Sequence, residues 1–204
     1  NAPIVSSSNP PTKAETRAST AEYHYEKVAS TLADYSGTYL FVYINSGSIQ
    51  GHTNYVFDGT GSASSDNGVT CPTITNDQIS GSSTIGTDNV SKYEVQIQKV
   101  DGGYTLKCLN TGKFIYPTSD KTIAYGNDPV TLDITDGVIS KTFGSDVSKL
   151  QWFVQKGSQE TCKFYKSSQK PLQLFKRVDD KKTVTSIEIV GTPKTTYNVG
   201  EAYS

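Results

Sequence analysis

The sequence predicts an all-β fold, and three observations carry that prediction. Short segments rich in Tyr, Val, Ile and Phe recur along the 204 residues, separated by Gly, Asp and Asn. Such residues suit a pleated, half-buried surface, and the separators suit turns. No window of 11 or more residues places its apolar side chains at helical spacing. A strand–hairpin–strand pattern also occurs more than once.

Residues 1–21, rich in Ser, Thr and Pro, read as a linker. Asn9-Pro10-Pro11 excludes helix there, and Ala2-Pro3-Ile4-Val5 is a strand-capable piece. The body, residues 22–178, opens with the alternating Tyr23-His24-Tyr25, which predicts an edge strand with His24 toward water. Thr38–Ile44 is apolar on both faces and predicts a central strand. Lys92–Gln98 alternates, which assigns Tyr93, Val95 and Ile97 to a buried face and Glu94, Gln96 and Gln98 to solvent. Asp101-Gly102-Gly103 turns this strand back into Tyr104–Cys108, a hairpin. Further strands are expected near 73–79, 112–116, 130–134, 138–143, 149–155, 161–165 and 171–176, with Asp136-Gly137 as a second hairpin turn. Residues 179–204 change character. The charged joint Asp179-Asp180-Lys181-Lys182 leads to the alternating Val184–Val190 and a Gly/Pro/Thr-rich end.

The repeat aligns Val90–Lys99 with Val147–Lys156, offset by 57 residues. The inward set Tyr93/Val95/Ile97 corresponds to Leu150/Trp152/Val154, which assigns Trp152, the one tryptophan, to the core. Tyr104–Lys107 then falls on Cys162–Tyr165, and Phe114–Tyr116 on Leu172–Leu174. A fainter copy places Gly37, Tyr39, Asn45 and Gly47 on Gly102, Tyr104, Asn110 and Gly112. Repeated units of this kind favour a small closed antiparallel β-barrel, β-trefoil-like, because closure removes exposed strand edges. Two clear copies also fit a two-sheet β-sandwich.

Composition excludes several functions. Nineteen Lys and Arg oppose 20 Asp and Glu, a net charge of −1, so a phosphate-tracking nucleic-acid binder is not expected. No apolar run reaches the ~20 residues that a helix needs to cross a bilayer. Asn1 at the start and the absence of Met predict a processed or excerpted chain. Cys71, Cys108 and Cys162 are odd in number, so at least one is unpaired within the chain. Buried thiols acting as small apolar side chains are the preferred reading, with a Cys108–Cys162 bridge as the alternative. No C-x-x-C pair supports a zinc site.

Catalytic constellations are thin. Neither His24 nor His52 sits beside a nucleophile motif. Glu22, Glu26, Glu94, Glu160, Glu188 and Glu201 qualify for paired-carboxylate chemistry by type alone and read as solvated charges. Asp58-Gly59-Thr60-Gly61-Ser62 with Asp66-Asn67-Gly68 has two acids of a calcium loop but lacks a third acid and a bidentate Glu, and turn chemistry accounts for it equally. No catalytic residue, metal or cofactor is therefore predicted. Tyr is the abundant residue with binding potential, since its ring stacks on sugars and its hydroxyl hydrogen-bonds from a rigid position. Tyr116, Tyr125 and Asn127 around one polar loop, and Asn54 and Tyr55 in another, are the candidate ligand-binding residues.

Two resemblances add to this. Ser186-Ile187-Glu188-Ile189, Pro193, Lys194-Thr195, Tyr197 and Gly200-Glu201 resemble, in order, the opening strand of a bacterial Ig-like domain; about 21 residues are covered, so a truncated domain is expected. Ser36–Tyr43, Gly103–Lys107 with Gly112–Ile115, and Lys163–Ser167 with Leu172–Lys176 resemble a module of secreted multidomain surface proteins of Bacteroidetes and gut Firmicutes. That resemblance implies an exported bacterial protein, extracellular or at the cell surface. It implies a non-catalytic accessory or adhesion module that binds glycan or another surface partner and sits beside Ig-like neighbours. A structural subunit of a surface fibre or stalk, assembled through terminal strands, is the alternative; an accessory domain of a secreted hydrolase is the second.

Overall fold

The computed structural model describes residues 22–60, 66–155 and 159–180. The segments expected to be a linker and the opening of an Ig-like domain, both terminal strand-capable pieces and residues 61 and 62 of the loop weighed for calcium lie outside them.

Among the described residues the chain is all-β and antiparallel. In order the strands are β1 (Tyr23–Lys27), β2 (Gly37–Tyr43), β3 (Tyr55–Phe57), β4 (Gly68–Thr70), β5 (Gln78–Ser80), β6 (Thr84–Ile85), β7 (Asp88–Asn89), β8 (Val95–Val100) and β9 (Gly103–Cys108). There follow β10 (Phe114–Tyr116), β11 (Ala124–Gly126), β12 (Asp133–Thr135), β13 (Val138–Phe143), β14 (Asp146–Gln155), β15 (Gln159–Tyr165) and β16 (Gln173–Asp179). One sheet runs β11-β10-β9-β8-β2-β16-β1-β5, with β3 and β4 attached through β2. A second runs β12-β13-β14-β15, and β6-β7 is a separate hairpin. The predicted Asp136-Gly137 turn joins β12 to β13 with both residues at positive φ, 51° and 77°. Such values fit the right-handed twist of a two-residue hairpin.

Three main-chain bridges connect the sheets, one of them beside β11, where the Phe164 amide donates to the Thr122 carbonyl at 3.0 Å. Tyr104 and Leu132 exchange both hydrogen bonds at 2.8 Å, and Trp152 and Lys170 do so at 2.9 Å. Strand pairing thus gives separate antiparallel sheets, as in the sandwich alternative, tied at these bridges.

Val95, Ile97, Leu150, Trp152 and Val154, the inward residues of the two repeat copies, share one core with Tyr39, Phe41, Phe57, Leu106 and Phe164. Trp152 is fully buried. Tyr93 departs from its expected face and joins a second cluster with Tyr25, Leu40, Ile79 and Phe175. The reason is local. Val90–Tyr93 form a 3-10 turn capped by Asn89, so β8 begins only at Val95. The alternation assumed from Lys92 onward is broken at that turn. Glu94, expected in solvent, is consequently buried at 6% exposure.

His24 is corrected as well. Its strand β1 lies between β16 and β5 and is no edge. The new edge, β5, is itself covered: Gln78 exchanges hydrogen bonds with Thr75 across an Asn76-Asp77 turn, and Ser80 accepts from the Ser83 amide. Cys71, Cys108 and Cys162 are free and buried, so the bridge alternative is not formed. No helix among the described residues is long and apolar enough to cross a membrane.

Candidate functional site

The candidate tyrosines divide between places. Tyr116 and Tyr125 stand on the hairpin β10–β11, where Ile115 pairs with Tyr125 and Tyr116 with Ala124. Cross-strand partners share a face and neighbours along a strand do not. Tyr125 therefore turns inward with Ile115 and packs on the main core, while Tyr116 lies on the opposite face over Gly126. The Tyr125 hydroxyl donates to the Thr60 carbonyl, and burial pushes its pKa above the usual range. Asn127 is exposed and accepts from the Lys113 ammonium at 2.5 Å. Tyr55, on β3, is buried at 8% exposure and stacks on Tyr43 at 6.1 Å. Asn54 accepts from the Asn45 amide at 2.8 Å and serves the loop before β3. The five residues are not assembled into one aromatic platform.

Other side chains weighed for chemistry are committed to neighbours. His52 is almost enclosed, its Nδ1 3.0 Å from the Tyr55 hydroxyl and 3.1 Å from Glu160 Oε1, which ties the β2–β3 loop to β15. His24 lies between Glu26 and Asp180. Asp58 accepts from the Thr60 amide at 2.7 Å, an Asx turn, and Asp66 accepts from the Glu160 amide at 3.2 Å. Among the described residues no three His, Cys, Asp or Glu side chains converge as metal ligands.

A concave site is present where no motif pointed. Three adjoining hollows meet around Lys27–Ser30, at the exit of β1. The first, of about 380 Å³, lies between Val28–Thr31, the β12–β13 turn Asp136–Val138, and Pro171–Leu174 entering β16. The second, about 320 Å³, runs along Glu26–Asp34 beside Lys176 and Val178. The third, about 350 Å³, is bounded by Lys27, Tyr43, Ile44, Ser46, Ser48, Lys170, Pro171 and Gln173.

The walls are firmly placed. The Val28 amide donates to the Leu174 carbonyl at 2.8 Å, docking the β1–β2 connection on β16. The Thr31 hydroxyl donates to Asp136 at 2.7 Å across the first hollow. The Leu32 amide donates to the Tyr35 hydroxyl at 3.2 Å. The Ser36 amide and hydroxyl both donate to Asp34, holding its carboxyl below the usual range. Val28 and Leu172, packed on the core, give an apolar floor, and Ser30, Thr31, Asp136 and Gln173 give a hydrogen-bonding rim. A polyol with one apolar face fits such a surface.

The chain matches no family model, no curated protein and no solved structure.

Proposed function

We propose that this β-domain is a non-catalytic, extracellular accessory or adhesion module of an exported bacterial protein, and that it binds glycan in the hollows around Lys27–Ser30. The observation that carries this reading is the first hollow. It places hydroxyl, carboxylate and amide groups from three distant segments around an apolar floor, on a framework of paired strands. The likeness of its strands to modules of secreted surface proteins agrees with it. A glycan array is the test. Saturable binding that falls about tenfold with Thr31→Ala or Gln173→Ala, a loss of ~1.4 kcal/mol, is expected. Binding unaffected by both substitutions would place the site elsewhere, and no binding would remove the reading.

We also infer that the two sheets close into one trefoil-like barrel. Supporting this is a circuit of pairing that runs β2, β8, β9, across Tyr104/Leu132 to β12, then β13, β14, across Trp152/Lys170 to β16 and back to β2. Hydrogen exchange tests it. The amides of Tyr104, Leu132, Trp152 and Lys170 should be protected as strongly as those of β14, and rapid exchange at either bridge would leave an open sandwich.

A further inference from the structure

We propose that the third hollow, between Lys27 and Lys170, is a subsite for an anionic sugar substituent, a carboxylate or a sulfate ester. This inference rests on the glycan-binding reading and names the charge class of the ligand.

The lining carries the argument. The residues with polar side chains that bound it are Lys27, Lys170, Ser46, Ser48, Gln173 and Tyr43, and none of the residues bounding it is acidic. Two lysines thus bound a hollow with no acid in its own lining, in a chain of net charge −1. Lys27 is partly neutralised, its ammonium 3.2 Å from the exposed Asp77 carboxylate. Lys170 has no acid partner among the described residues. Its backbone is pinned by both hydrogen bonds to Trp152, so the base of its side chain has a fixed origin beside the core.

The serine wall is fixed too. The Asn45 side-chain amide donates to the Ile49 carbonyl at 3.0 Å and to the His52 carbonyl at 2.7 Å, and the Asn45 backbone amide donates to the Asn54 side chain. These bonds brace the loop that carries Ser46 and Ser48. Gly47, at φ 82°, supplies the left-handed residue between them. Donors held in place by their own supports bind an oxyanion with little reorganisation.

The occupant is saccharide rather than an acidic peptide strand. A peptide binds a sheet by main-chain pairing at a free edge. Here β2 is already paired through Val42 and Tyr43 to β3, and through Val42 to Gln173 of β16. The hollow offers side-chain donors, matched to ring hydroxyls and an anionic substituent.

The test uses the full chain on two arrays, one of uncharged glycans and one of glycans bearing carboxylate or sulfate. Acidic glycans should bind, and binding should weaken steeply as salt rises. Lys170→Gln should weaken it about tenfold, and the Lys27→Gln/Lys170→Gln pair should abolish it. The carboxylated and sulfated members decide which anion is preferred. Circular dichroism of Lys170→Gln, whose side chain makes no structural bond among the described residues, controls for folding. Uncharged glycans bound without any acidic preference, or acidic binding indifferent to Lys170→Gln, would overturn the subsite while leaving the glycan reading intact. Silence on both arrays would overturn both. Equal, Lys170-dependent binding of a poly-glutamate peptide would overturn the saccharide assignment.

Discussion

The Tyr25 hydroxyl donates to a carboxylate oxygen of Glu94 at 2.6 Å, with both side chains buried. Arg177 donates to the same oxygen at 2.9 Å and, through Nε, to Asp179 at 3.0 Å. Its guanidinium also lies 3.7 Å from the ring centre of Tyr23. Three elements, β1, the turn before β8 and β16, are thus joined through one carboxylate. Burial first, then the bond to Glu94, raises the Tyr25 hydroxyl far above its usual range, so it remains a donor.

Removing the carboxylate should cost more than removing the hydroxyl. Glu94→Ala strands a buried donor and half of an ion pair and should destabilise by about 3 kcal/mol. Tyr25→Phe loses one charge-assisted hydrogen bond and should cost about 1.5 kcal/mol. Urea denaturation of both single variants and the double variant checks this. The double should fall short of the sum, because the two changes remove the same bond.

His24 should be the pH-sensitive point of β1. Its Nε2 lies 2.9 Å from Glu26 and its Nδ1 2.8 Å from Asp180. The bond to Glu26, partly opposed by burial and reinforced by Asp180, raises its pKa above 6.5. A group raised in the folded state adds stability that is full below its unfolded value and lost as pH climbs through the folded one. The contribution should therefore be complete below about pH 6.5 and be lost as pH rises through the higher, folded value. NMR titration should give His24 a midpoint above 6.5, with Glu26→Gln lowering it more than Asp180→Asn. In His24→Gln this component of the stability profile should be absent.

The three cysteines should be silent until the fold opens. Burial pushes Cys71 and Cys108 up to about 12, and Cys162 well above its ordinary value. Thiolate is the reactive species, so none forms appreciably near pH 8. An aromatic disulfide reagent should label no thiol in the native protein and three in denaturant. Prompt native labelling at any of them would contradict the packing.

How far the fold could be read from residues depended on how local its causes were. The Val95/Ile97 alternation, the Asp101-Gly102-Gly103 and Asp136-Gly137 turns and the burial of Trp152 follow from side-chain period and turn chemistry, and each was legible. Glu94 was not, because a single 3-10 turn moved it off the expected face and its partner Arg177 is 83 residues away. His24 looked like an edge residue because the strand covering it, β5, is only three residues long and follows a two-residue turn at positive φ. The hollows were invisible for the same reason. Val28–Thr31, Asp136–Val138 and Pro171–Leu174 carry no common motif and meet only in space. Choosing tyrosines as candidates rewarded residue type, whereas strand pairing sent Tyr116 and Tyr125 to opposite faces.

Gly103 marks where the sheets are joined, and it should tolerate no side chain. It sits at φ 155°, and a Cβ there would fall 2.3 Å from the Leu132 carbonyl oxygen and 3.0 Å from the Thr131 methyl. That same carbonyl accepts from the Tyr104 amide in the bridge between β9 and β12. Since the obstacle is backbone, neither rotamer change nor side-chain adjustment relieves it, and the bridge must open. Gly103→Ala should cost about 3 kcal/mol, from overpacking together with an unfavourable φ. Gly102 is the control. It lies at φ 79° with open space around its Cβ position. Gly102→Asn should cost under about 1 kcal/mol, since Asn tolerates the left-handed region. Thermal unfolding of the two variants, with hydrogen exchange at Tyr104 and Leu132, separates a bridge-specific loss from ordinary turn strain. Equal effects at the two glycines would show that the Tyr104–Leu132 junction contributes nothing beyond the turn.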